Sequence, residues 1–102
     1  MDRLNALKEI LMENPQDNFA RYGLAMEFAK QGNLAEAVSE FKNLLVINPD
    51  YIAAYYHTGQ ALERLSKYEE AKETYRKGIE VASRLKDLKA KGELESVLDL
   101  LG

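Results

Sequence analysis

NLAEAVSEFKNLLVINPD (residues 33–50) and KYEEAKETYRKGIEVASR (residues 67–84) are the same pattern written twice, 34 residues apart. Glu36-Ala37 falls on Glu70-Ala71, Phe41 on Tyr75, Lys42 on Arg76 and Leu45 on Ile79. Working outward, the same offset places Asn14-Pro15 on Asn48-Pro49 and Leu11 on Leu45. It also places Ala20 on Ala54, Tyr22 on Tyr56 and Lys30 on Arg64. Agreement in chemistry at this many positions marks an internal repeat.

Inside each unit the apolar residues recur with a helical period. Leu34, Ala37, Val38, Phe41, Leu44 and Leu45 form one stripe, and Leu24, Phe28 and Gln31 another. The first stripe stops at Asn48-Pro49, because proline lacks an amide hydrogen and pushes the residue before it out of the helical region. The second stops at Gly32-Asn33. Asn33 with Glu36, and Ser66 with Glu69, have the spacing of capping boxes. Asp50 is placed to cap a third long helix reaching about Leu65, and the next runs from about Tyr68 to Arg84. Residues 3–13 read as an amphipathic helix through Leu4, Leu7, Ile10 and Leu11. Asp87 can cap a last helix bearing Leu88, Leu94, Val97, Leu98 and Leu101. Nothing alternates with period two, so the fold class is all-α.

Composition excludes several functions. The 102 residues suffice for one domain, 46% hydrophobic and 30% charged, with a net charge of −3 that offers no chain-wide footprint for nucleic acid. The absence of cysteine removes disulfides, thiolate metal sites and cysteine nucleophiles. The single histidine, His57, has Ala61 at i+4 and reads as a surface residue, not a metal ligand. Six glycines are scattered and form no phosphate loop, and Glu69-Glu70 sits at a helix start, where the dipole favours carboxylates. The cations Arg84, Lys86, Lys89 and Lys91, with Arg76 and Lys77, make one end basic without interleaved aromatics, as a solvated helix junction does. No catalysis, cofactor or metal is expected. No stretch approaches the ~18 apolar residues of a membrane span, and Met1-Asp2-Arg3-Leu4 lacks an apolar leader core, so the cytoplasm is the default location.

The spacing resembles the tetratricopeptide repeat, a helix–turn–helix unit of this length. Its pattern of large, small and large residues on the first helix is met by Leu24, Ala25 and Phe28, then by Thr58, Gly59 and Leu62. Its second-helix pattern is met by Ala37, Phe41, Leu44 and Pro49, then by Ala71, Tyr75, Gly78 and Ser83. Arg21 stands where an early aromatic is usual, Thr58 weakens an apolar position, and Ser83 replaces the closing proline, which predicts a longer helix there. The resemblance implies one domain over 1–102, an α-solenoid wound as a right-handed superhelix. It comprises an N-terminal helix over 2–14, repeat one over 17–49, repeat two over 50–84 and a capping helix over 87–101. The end helices occupy the empty slots of neighbouring repeats. Glu93 and Ser96 break the register of the last one, so it is expected to be rotated.

What the resemblance implies about function is protein–protein interaction, with a peptide or helix of a partner held in a concave groove. The groove positions are Tyr22, Met26 and Lys30 from repeat one and Tyr56, Gln60 and Arg64 from repeat two, with Phe19, Ala53 and Glu63 at the edges. Each trio has i, i+4, i+8 spacing and shares one helix face. Tyrosine offers apolar area with a hydrogen bond, and Lys30 and Arg64 suit a carboxylate or phosphate. One subclass of the family clamps the C-terminal carboxylate of heat-shock chaperones with lysines and asparagines. Tyr22 and Met26 stand at matching positions, so that clamp is not expected. The competing reading is a self-associating structural module, a homo-oligomer formed through the groove or through Ala90, Leu94 and Leu98 of the last helix. Alternatively those residues pack on the preceding helix pair.

The register makes Ala71 a position that must stay small for helices to approach. Ala71→Trp is expected to damage the fold through overpacking, by about 1–3 kcal/mol or more. A wild-type melting curve for this variant would refute the register.

Overall fold

The computed structural model describes residues 2–102. Six helices follow in order: α1 (Arg3–Glu13), α2 (Asn18–Lys30), α3 (Leu34–Ile47), α4 (Ile52–Arg64), α5 (Tyr68–Leu85) and α6 (Leu88–Leu100). The breaks follow local chemistry. Asn14-Pro15 ends α1 and Asn48-Pro49 ends α3, while α2 ends before Gly32 with φ 82°. At the corresponding turn after α4, Ser66 takes φ 61°.

That left-handed conformation leaves Ser66 unable to cap, so Lys67 precedes α5 without a side-chain cap, contrary to the capping-box reading. Asn33 likewise precedes α3 without a capping bond. Asp50 does not cap α4 either. Tyr51 occupies that position, and the Asp50 carboxylate accepts the Arg84 guanidinium instead. Caps do form at Asp2, Asp17 and Asp87, which accept from the amides of Asn5, Ala20 and Ala90 at 2.8, 2.9 and 3.0 Å, each worth about 1 kcal/mol. With Ser83 where repeat one has Pro49, α5 runs for 18 residues and ends on Lys86 at φ 61°. The lengthened helix agrees with expectation.

Each helix packs on the next in sequence, and α4 also touches both α2 and α6. The backbones of α1, α3 and α5 stay apart. One layer is therefore tight and the other splayed, which curves the stack with α2, α4 and α6 on the concave side. Three clusters of buried side chains follow one another along it. The first holds Leu7, Leu11, Ala20 and Leu24, the second centres on Phe41 and Leu44, and the third on Tyr75, Leu62 and Leu94.

The two repeats solve the same packing problem with different atoms. Phe41 is fully buried in one cluster with Ala25. Its counterpart Tyr75 is equally buried, but its position opposite is Gly59, where an added Cβ would lie 2.1 Å from the Tyr75 ring. The additional hydroxyl needs partners. Gln60 Nε2 donates to Tyr75 Oη at 2.7 Å, and Tyr75 Oη donates to Glu63. In repeat one the equivalents of Gln60 and Glu63 are Met26 and Ala29, both packed on the Phe41 cluster. Arg21, which stands in for an aromatic, shows the same economy. Its Nη2 donates to the Pro15 carbonyl at 2.9 Å, and Tyr55, 34 residues on, donates its phenol to the Pro49 carbonyl at 2.7 Å. The guanidinium also needs a counter-charge, which Glu40 supplies at 2.7 Å. Thr58 satisfies its buried hydroxyl by donating to the Ala54 carbonyl at 2.6 Å.

At the capping helix Leu94 is buried and Val97, Leu98 and Leu101 pack against the last cluster. Leu94 falls at the register position of Gln60, so α6 is rotated relative to a repeat helix. The repeats meet through aromatic rings. His57 stacks on Phe41 at 6.2 Å between centroids and meets Tyr22 at 5.8 Å and Tyr56 at 5.4 Å. It is half-buried, not a surface residue, and burial lowers its pKa from the ordinary 6.5.

Two tests address this packing. Gly59→Ala is expected to lose about 1–3 kcal/mol against the Tyr75 ring. Gly92→Ala, inside α6 with nothing within 4 Å of the added carbon, should gain about 0.5–1 kcal/mol. Equal denaturation midpoints for the two variants would sink the close-approach argument. Because the folded chain favours neutral His57, the unfolded chain binds the proton more readily. Stability therefore falls as pH drops below 6.5, the value for an unburied imidazole. Urea midpoints at about pH 7.5 and about pH 5.5 should drop further for wild type than for His57→Phe. An equal drop in both proteins would show that His57 contributes nothing.

Candidate functional site

The concave layer carries both predicted trios. Tyr22, Met26 and Lys30 lie on α2, and Tyr56, Gln60 and Arg64 on α4, each at successive helical turns. Tyr22, Met26, Tyr56 and Gln60 are half-buried, whereas Lys30 and Arg64 are exposed. At the edges Phe19 is 72% exposed and Ala53 is also exposed.

The N-terminal half of this face is aromatic. The Tyr22 ring lies 5.1 Å from Tyr51 and contacts His57, which in turn contacts Tyr56. Burial raises the phenol pKa of Tyr22, helped by Tyr51, and burial also raises that of Tyr51. Both remain protonated donors at neutral pH. Between α4 and α6 the wall opens into a cleft of about 460 Å³. Ile52, Ala53, Tyr56 and His57 line one side and Asp87, Lys89, Ala90, Glu93 and Leu94 the other.

The C-terminal half is cationic. Arg64 reaches the Ala29 carbonyl at 3.5 Å, which brings its guanidinium to the end of α2 carrying Lys30. Neither cation is in an ion pair among the described residues, whereas six other cations are paired. Gln60 departs from the sequence expectation. Its amide is engaged by Tyr75, with the Glu63 carboxylate 3.4 Å away, so it shapes the groove floor before it meets any ligand. Burial, reinforced by Glu63, holds the Tyr75 phenol well above its ordinary range. The signal for this arrangement was present in the pairing of Phe41 with Met26 and Ala29 against Tyr75 with Gln60 and Glu63. Tyr51 and His57 were missed as groove residues because they lie off the repeat's helical stripe and are brought in by contacts with repeat one.

Among the described residues no group of three potential metal ligands comes together, and no helix is long and apolar enough to cross a membrane.

Comparison with known proteins agrees with the geometry. A family model for the TPR repeat matches residues 26–66, and one for the tetratricopeptide repeat matches residues 52–84. A tetratricopeptide repeat domain protein from Salinibacter ruber, solved by NMR, is 39% identical. The match covers 86% of this chain and 89% of that one, with a TM-score of 0.81. The TPR2B domain of yeast Sti1, in a complex with pHsp70, superimposes with a TM-score of 0.89 over 96% of this chain and 78% of that one, at 18% identity. Hsp70-Hsp90 organizing protein 2 of Arabidopsis thaliana is 27% identical over 79 residues, 78% of this chain but 14% of that protein's length. With both repeats matched and the Salinibacter protein aligned over most of its length, the chain belongs to the tetratricopeptide repeat family.

Proposed function

We propose that this chain is a non-catalytic adaptor that holds a peptide or helix of a protein partner in its concave groove. The observation that carries this reading is the composition of one face. Half-buried tyrosines, Tyr22 and Tyr56, stand beside two cations, Lys30 and Arg64, that are in no ion pair among the described residues. Tyrosine and arginine are the side chains that most often dominate binding energy at interfaces. Here the tyrosines act as anchors with Met26 as adaptable apolar filling, and the cations orient an acidic group of the partner. Gln60 contributes by fixing the Tyr75 hydroxyl beneath the groove floor.

Relatives support an interaction role by name: one is an Hsp70-Hsp90 organizing protein, and a structural neighbour is a domain complexed with pHsp70. The groove here differs from a lysine–asparagine carboxylate clamp, since Tyr22 and Met26 occupy those positions. The second reading, self-association, draws on Leu88 and Leu100 of α6, which are 75% and 85% exposed.

The test is affinity capture from a lysate of the source organism with wild type and with Tyr56→Ala/Arg64→Glu. A protein retained by wild type and lost at least about tenfold by the variant supports the groove. Circular dichroism should show unchanged helix content. If both capture the same proteins, or if apparent mass rises with protein concentration and the same chain alone is recovered, self-association replaces the adaptor reading.

A further inference from the structure

We propose that the cleft between α4 and α6 takes a cationic side chain of the partner segment, an arginine or lysine seated between the Tyr56 and His57 rings and the Asp87 and Glu93 carboxylates. This rests on the groove reading above and adds the chemistry of what the groove selects at its aromatic half.

One wall of the cleft presents Tyr56 and His57, whose rings meet edge to face at 5.4 Å. An aromatic face is electron-rich and attracts a cation, with arginine stacking best because its guanidinium is planar. The opposite wall presents Asp87 and Glu93, and neither carboxylate is in an ion pair among the described residues. One Asp87 oxygen accepts from the Ala90 amide and the other is left for a ligand. Lys89 shares this wall, but it pairs with neither carboxylate, and the cleft keeps a net negative charge with Lys89 counted. An anion entering here would meet the carboxylates of Asp87 and Glu93. Lys30 and Arg64, on α2 and α4, lie about 12 Å further along the helices, and Lys91 of α6 stands outside the cleft lining. A volume of about 460 Å³ has room for one long side chain together with its backbone. The groove is thus polar along its helices, selecting a cation at one edge and an acid at the other.

The test uses the full chain and four pools of fluorescent short peptides of one length. Arginine, lysine, glutamine or glutamate is fixed at the centre in an uncharged random background, and binding is read by anisotropy. The arginine pool is expected to bind about fivefold tighter than the glutamine pool, and D87N/E93Q should not weaken the glutamate pool, which Lys30 and Arg64 would receive. D87N/E93Q should abolish the difference while keeping helix content, because asparagine preserves the cap acceptor. Equal affinity of wild type for the arginine and glutamine pools, or a preference that survives in D87N/E93Q, overturns the cation site and leaves the groove reading standing. No pool bound more tightly by wild type than by Tyr56→Ala/Arg64→Glu overturns both.

Discussion

Everything in this molecule depends on how closely the two helices of a repeat approach. A small residue on the first helix, Ala25 or Gly59, faces a large aromatic on the second, Phe41 or Tyr75, and both aromatics are wholly buried. Close-packed interiors tolerate little change in volume, so the pair must be sized together. The larger ring in repeat two goes with the smaller partner. This contact sets the spacing of the helix pairs and keeps α2, α4 and α6 in one layer, which is the face available to a partner. A groove of this kind is a by-product of core packing, and its shape changes when the core does.

The Tyr75 hydroxyl carries that dependence to the surface. A buried phenol without partners costs roughly 1–3 kcal/mol, so Gln60 and Glu63 turn inward to satisfy it. Repeat one, with Phe41, needs no such partners and places Met26 and Ala29 there. The concave face is consequently asymmetric: flexible and apolar at Met26, polar and pinned at Gln60. The α2 and α4 parts of this face are thus two different surfaces built on one backbone plan. Arg21 and Tyr55 make the opposite point. Two unlike side chains reach corresponding proline carbonyls, Pro15 and Pro49, and the turn geometry survives the exchange.

The sequence made the architecture readable because repetition and helical period are local or fixed in offset. The breaks at Asn14-Pro15, Gly32 and Asn48-Pro49, the extension of α5 past Ser83 and the Asp87 cap all follow from residues within a few positions. Caps at Asn33, Asp50 and Ser66 were misread because capping depends on backbone angles and on competing partners. Ser66 is left-handed, and Asp50 is taken by Arg84 from the far end of α5. His57 looked like a surface histidine because its burial comes from Tyr22 and Phe41 of the other repeat. The groove trios come from the family resemblance, and no resemblance reveals that the Gln60 amide is already engaged.

The placement of charge on the concave layer has a common origin. Consecutive helices joined by short turns run antiparallel, so alternate helices α2, α4 and α6 run parallel and put their N-termini along one edge and their C-termini along the other. Helix dipoles then favour carboxylates on the first edge and cations on the second. Asp17 and Asp87 sit at N-termini, and Lys30 and Arg64 in the last turns of α2 and α4, whereas α6 departs from the pattern with Lys89 and Lys91 near its start and Asp99 near its end. Among the described residues none of these four charges is in an ion pair. A charge stabilised by a helix end, and not by a partner side chain, keeps its capacity to bind from outside. The arrangement that holds the solenoid together thus also decides which helix ends, and with them which charges, line each edge of the concave layer.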